Sequence, residues 1–269
     1  MQLSDAQATR PPADPWRAMA AFSAALLGLM LLWAISGDPR QVEGVAVWIK
    51  PAKFSLSLMI LFATIALVVD RLSPAVRSGW TLRLIGWAMG AAMIAEMVWI
   101  IRQAALGVGS HFNLATPLEA FMYETVMAGG AVILVLGVGL VGLVAYRDRA
   151  ADLSPALREA IWLGFLASFV LTMIVALRMG GGGGHHVGIH PEGAPSWPFL
   201  GWSGVTGDLR PAHFLSLHAM QALPLFALWL ERRGSSRAVL KVRLAAVAWS
   251  LLTLLIFAQA LAGLPLIRL

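Results

Sequence analysis

His213, His218 and Gln221 stand in the run GDLRPAHFLSLHAMQALPLFALWLERR, residues 207–233, which opens as a polar loop and ends as an almost uncharged helix stopped by arginines. Imidazole and carboxamide groups carry protons, hold metals and hydrogen-bond carbonyls, and an apolar helix needs none of this to fold. Glu96 and Glu124 sit in equally apolar surroundings, and His111 lies in the short stretch RQAALGVGSHFN. His213 and His218 are about 140° apart around a helix, so they do not chelate one ion as an i, i+4 pair would, and each needs partners from other helices. His218 and Gln221, at i and i+3, share a face. Three chemistries fit these types. A haem b held by two histidines pairs His111 or His213 with His218. A transition metal draws on His111, His213, His218 and Glu96, or on His218 with Glu96 and Glu124, a carboxylate–imidazole set suited to Fe, Mn, Cu or Zn. A quinone or other lipidic substrate accepts hydrogen bonds from His and Gln. In each case Glu96, Glu124 and Gln221 are the candidate catalytic groups, moving protons or orienting the substrate.

The elements that must position these groups follow from composition. Of 269 residues 59% are hydrophobic and 13% charged, against about 25% charged in a soluble domain. Lipid is therefore the main solvent. Seven apolar stretches, near 17–36, 52–70, 81–101, 117–146, 159–179, 209–230 and 238–265, approach the roughly 20 residues needed to cross the hydrocarbon core. The expected fold is an all-α polytopic bundle: a short tail over 1–16, then a single transmembrane domain over 17–269 with an outer loop at 180–208. The first stretch is too long and too weakly basic at its start for a signal peptide. There are no cysteines, which leaves imidazole and carboxylate as the strong metal ligands.

The net charge is +6, but the basic residues form short clusters between apolar runs and read as membrane-orienting rather than nucleic-acid-binding. Thirteen of the 20 Lys and Arg fall on the side of the N-terminus, with ERRGSSRAVLKVR the densest group. The positive-inside rule then places the N-terminus in the cytoplasm of a bacterial inner membrane and the 180–208 loop outside. All six histidines fall at or just below that outer surface. With about 1.5 Å of rise per residue, His213 lies roughly 7 Å, His218 roughly 15 Å and Gln221 nearly 20 Å below the start of the sixth span. Glu96 and Glu124 come to about 9 and 12 Å on theirs. The expectation is one outer-leaflet layer of Glu96, Glu124, His111, His213 and His218 lining a common cavity, because an ionisable group in hydrocarbon is costly unless it faces protein or water.

Other residues have structural explanations. TPLE, Thr116 to Glu119, is a capping box opening the fourth span, with Pro117 at its first position. Asp208 caps the sixth span, with Arg210 beside it. Trp48, Lys50 and Lys53 in WIKPAKF form an interfacial belt with snorkelling lysines. Gly137, Gly139 and Gly142 spell G-x-G-x-x-G without a preceding strand, which is no dinucleotide site. Gly86 and Gly90 have the spacing of close helix contacts, within the bundle or between protomers of a homo-oligomer. Gly180 to Gly184 make a flexible joint into a lid whose His185, His186, His190 and Glu192 are candidate Zn or Cu ligands, though adjacent histidines on a flexible segment preform a site poorly.

The motifs GVGSHFN, GDLRPAHFLSLHAMQALPL and WIKPAKFSLSL resemble those of a group of bacterial multi-pass membrane proteins with no assigned activity. The likeness spans most of the chain and includes His111, His213 and His218. It implies a polytopic fold and no particular reaction. The functional expectation is a membrane oxidoreductase with haem b or a transition metal and a quinone or periplasmic redox partner. The open alternatives are a proton-coupled small-molecule transporter, with Glu96 and His218 as the relay, and a receptor or assembly factor without turnover.

Overall fold

The computed structural model describes residues 14–42, 44–191, 193–198 and 200–269. The expected ligand Glu192 and the tail before Asp14 lie outside them. The chain folds as an all-α polytopic bundle, with seven helices among the described residues long and apolar enough to cross a membrane. They are α1 (Pro15–Ile35), α2 (Ile49–Val69), α4 (Trp80–Leu106), the composite span Pro117–Arg147, α7 (Pro155–Gly181), α8 (Arg210–Arg232) and α9 (Ala238–Leu261). A short α3 (Pro74–Arg77) links α2 to α4. The composite span comprises α5 (Pro117–Phe121), a π-helical turn (Met122–Met127) and α6 (Ala128–Arg147).

The helix ends follow local chemistry. α1 starts at Pro15 with Asp14 Oδ1 accepting from the Trp16 amide, inside the segment read as a tail. Ser154 caps α7 ahead of Pro155. Thr116 and Glu119 close the expected capping box, the Thr116 hydroxyl accepting from the Glu119 amide at 3.2 Å and donating to its carboxylate at 2.9 Å. α4 ends at Gly107, whose φ of +72° gives the left-handed turn that ends many helices.

Neighbours pack in the order α1–α2–α4–α6–α7–α8, with α9 on α7 and α8. Glycine sets the closest approaches. A Cβ at Gly130 would come 2.7 Å from Glu96 Oε1, and Gly137, two turns on, faces Met89 of the same helix. A Cβ at Gly142 would meet Phe165 of α7 at 2.5 Å. The glycine run of α6 is thus a packing surface, and Gly86 and Gly90 of α4 receive Trp16 and Met19 of α1. The core runs through the bundle centre on Trp16, Phe62, Met89, Val141, Phe165 and Met220, while Leu32, Leu67, Trp87, Val98 and Leu255 are exposed, the outward apolar surface that lipid requires.

The two ends differ. The arginine face holds the start of α1, the ends of α2, α6 and α8, and their short connections. The lid face holds the loop 182–209. That loop is stapled rather than loose. Its strands β3 (His186–Val187) and β4 (Gly207–Asp208) pair antiparallel, numbered after β1 (Gln41–Val42) and β2 (Val45–Ala46) of the first lid-face loop. The Leu209 amide donates to His185 O at 2.9 Å, and Leu269 reaches back to Gly204 O at 3.0 Å. Gly180 and Gly181 continue α7, so the expected joint begins later than the glycine run itself.

Candidate functional site

Glu96 points from α4 into the α6 contact and is 4% exposed. Gly130 leaves room for its carboxyl, and Oε1 has no hydrogen-bond partner. Arg102, six residues on along α4, donates to Gln103 Oε1 at 2.9 Å and lies over the Trp99 ring. Buried polar atoms in native proteins nearly always find a partner, so an orphan of this kind asks for a role beyond packing.

Two more orphans lie on α8. His213 Nδ1 and Gln221 Oε1 are both buried without a partner. The opposite end of the Gln221 amide donates to Thr64 Oγ1 of α2 at 3.2 Å, bridging two helices. His218 stacks on Phe214, ring centroids 4.0 Å apart, and its Nδ1 lies 2.7 Å from the Phe214 carbonyl. That bond makes Nδ1 the donor and leaves Nε2 as a lone-pair acceptor. The remaining polar face of α8 is tied to α7: the Thr172 hydroxyl donates to Ser216 Oγ at 2.9 Å, and Ser168 donates towards the Ser216 and Leu217 carbonyls. Pro224 lies inside the helix below, which continues through it to Arg232.

His111 sits in the loop above, its ring among Phe54 of α2 at 5.3 Å, Tyr123 of the π turn at 6.0 Å and Phe112. Burial, and after it the Lys50 charge, pushes this imidazole down to about 3. Phe112 leads on to His185, which stands 4.2 Å from His186, which stands 4.0 Å from His190. Four of the six histidines therefore join one line of rings across the lid face. Burial, then Arg210, takes His185 down to about 4. For His186 burial outweighs the pull of Asp208, with the same result of about 4. Asp208 is buried and accepts from the Ser203 amide at 2.8 Å and from the Arg210 amide and guanidinium. Burial works against its charge, but these bonds outweigh it and hold the carboxyl below the usual carboxylate range.

Glu124 departs from the expected layer. It is exposed, because the wide π turn resets the register of the span and sends Tyr123, not Glu124, towards His111. Glu96 and Glu124 are thus not a facing pair, and among the described residues no three His, Asp or Glu side chains gather to hold one metal ion. In the lid, His186 and His190 stack face to face at 21°, and Glu192, the further ligand expected there, lies outside the described residues. Two clefts of about 360 and 430 Å³ open on the arginine face and contain none of the candidate residues. Each of the three orphan atoms is shielded from solvent where it stands, Glu96 Oε1 at the α4–α6 contact and the other two on α8.

Sequence reasoning missed Thr64, the Ser168–Thr172–Ser216 cluster and the π turn. Serine and threonine are common in membrane helices, and nothing in the spacing marks these as partners of α8. No family model, curated protein or solved structure matches the chain.

Proposed function

We propose that this chain is a proton-coupled carrier of a small polar solute, placed in a bacterial cytoplasmic membrane with its N-terminus inside. The observation that carries the reading is that three polar atoms on the apolar spans, Glu96 Oε1, His213 Nδ1 and Gln221 Oε1, are buried without hydrogen-bond partners. A solute with hydrogen-bonding groups would complete them, and a carboxyl that makes no structural bond is free to gain and lose a proton as the solute passes. The π turn of the fourth span and Pro224 inside α8 are points at which helices can bend. The arginine-rich face supports the orientation. The test is proton movement in pyranine-loaded proteoliposomes challenged with a panel of monocarboxylates, phosphate, amino acids and sugars. At least one solute is expected to acidify the lumen with wild-type protein and fail to do so with Glu96→Gln. If none moves a proton with either protein, the carrier reading falls.

A second reading rests on His218. Its Nδ1 is bonded to a backbone carbonyl, the arrangement that orients Nε2 towards a metal in many haem and metal proteins. In a redox protein with haem b, His218 and either His213 or His111 would supply the axial pair. Such a cofactor would exchange electrons with a quinone or a periplasmic partner. A haem band or a stoichiometric metal in protein purified in mild detergent, lost in His218→Ala, would favour this reading over transport.

A further inference from the structure

α2 and α8 run parallel from the lid face, α2 packed chiefly on α1 and α8 chiefly on α7. On α2, Lys53, Ser57, Ile60 and Thr64 fall on one helical face, and on α8 so do Arg210, Phe214, Leu217 and Gln221. The Gln221–Thr64 hydrogen bond joins the two faces. Eleven residues up each helix, about 16 Å, stand Lys53 and Arg210. Both reach the same turn of the lid. Lys53 Nζ donates to Leu200 O at 3.5 Å and Arg210 Nη2 to Gly201 O at 2.6 Å.

We propose that this turn is a latch released by an anion: a phosphate or carboxylate group binds between Lys53 and Arg210 in place of the lid carbonyls. The inference deepens the carrier reading and rests on it for the anion's onward path. Three features carry it. Asp208 is already committed to Arg210 and the Ser203 amide, so Lys53 has only a long bond to a neutral carbonyl. Arg210 uses Nε and Nη2, while Nη1, beside Gly201, has no acceptor among the described residues. An anionic oxygen is a much stronger partner for either cation than a main-chain carbonyl. Release of the turn would lift Trp202, which closes edge-on over Phe214 at 5.8 Å, from the mouth between the helices.

The anion has two sources, a soluble solute or a lipid headgroup, and nanodiscs separate them. In phosphatidylcholine discs, inorganic phosphate is titrated while tryptophan fluorescence is followed, with Trp202→Phe identifying the lid signal. A second series replaces part of the lipid with phosphatidylglycerol. A saturable response to phosphate identifies a soluble anion. A lid signal that changes only with phosphatidylglycerol identifies a headgroup. In either case Lys53→Gln is expected to weaken the response at least tenfold and Lys53→Arg to preserve it. A response equal in wild type and Lys53→Gln, or no response in either series, overturns the latch. Binding is read without transport, so the two readings fail separately: an anion response without proton flux sinks the carrier, and proton flux driven only by an uncharged solute sinks the latch.

Discussion

The arginine face and the lid face use the same kinds of side chain to opposite ends. On the arginine face charges close the structure. Asp148 Oδ2 accepts from the Ser73 amide at 2.7 Å, tying the α2–α3 turn to the end of α6. Arg158 of α7 spans the carbonyls of Ala145, Tyr146, Asp148 and Ala151 at the end of α6. Arg243 pairs with Glu159 at 2.6 Å, and Arg17 with Asp70. On the lid side, by contrast, Glu96, His213 and Gln221 each leave a buried atom unanswered and Lys53 makes one long bond, whereas Asp14 Oδ2 on the arginine face, also without a hydrogen bond, still lies 3.5 Å from Arg17 Nε. Saturated polar groups hold a fold together, and unsaturated ones are kept at a cost that something other than stability must justify.

Asp208→Ala is expected to have the largest effect, because the lid's one fully committed carboxylate anchors β4, Ser203 and Arg210 together. Removing one partner of a buried ion pair costs about 3–5 kcal/mol, and hydrogen exchange should then show the amides of residues 185–209 losing protection ahead of the helices. Retained protection there would mean that the lid is held by its apolar contacts alone. Arg158→Ala should cost about 2–3 kcal/mol, from charge-assisted bonds lost at several carbonyls. Because that arginine joins α6 to α7, the loss should appear in the unfolding midpoint of the whole bundle.

The lid should also answer to pH. His185 and His186 ionise near 6.5 when free and near 4 in the fold, and His111 near 3. Opened chain therefore binds protons more readily than closed chain. The stability of the lid contacts is fully present above about pH 6.5 and is lost as pH falls towards 4. Proteolysis of the 185–209 segment should accelerate between pH 7 and 5, with cleavage near residues 148–158 unchanged. Similar acceleration at both ends would break the contrast. The smallest effect is expected for Glu96→Gln, within about 0.5 kcal/mol of wild type, since no hydrogen bond to Oε1 is lost. A loss of several kcal/mol would reveal Glu96 as a structural group and remove the main support for the carrier.

Much of the fold was legible from residues 1–269 before any coordinates. Apolar run length is summed along the chain, so it reports the spans without knowledge of their neighbours. The capping box at Thr116 and Glu119 was legible for the same reason, because its partners lie three residues apart. Burial was legible in part: Glu96, His213 and Gln221 each carry a buried polar atom, as expected of ionisable and polar groups on apolar spans.

What only the tertiary structure decided was direction and partnership. Glu124 has the same depth argument as Glu96 yet faces outward, because one π turn changes the register of its helix. The lid histidines His185, His186 and His190 come together as a run of neighbouring rings, an arrangement that their spacing along a loop does not show. Lys53 read as a snorkelling residue, yet it reaches a carbonyl 147 positions along the chain. Each of these depends on which atoms of a distant segment come within hydrogen-bond range. Local hydropathy carries no record of that distance, so the sequence alone determined where the polar groups lie along their helices, and packing determined which of them are answered.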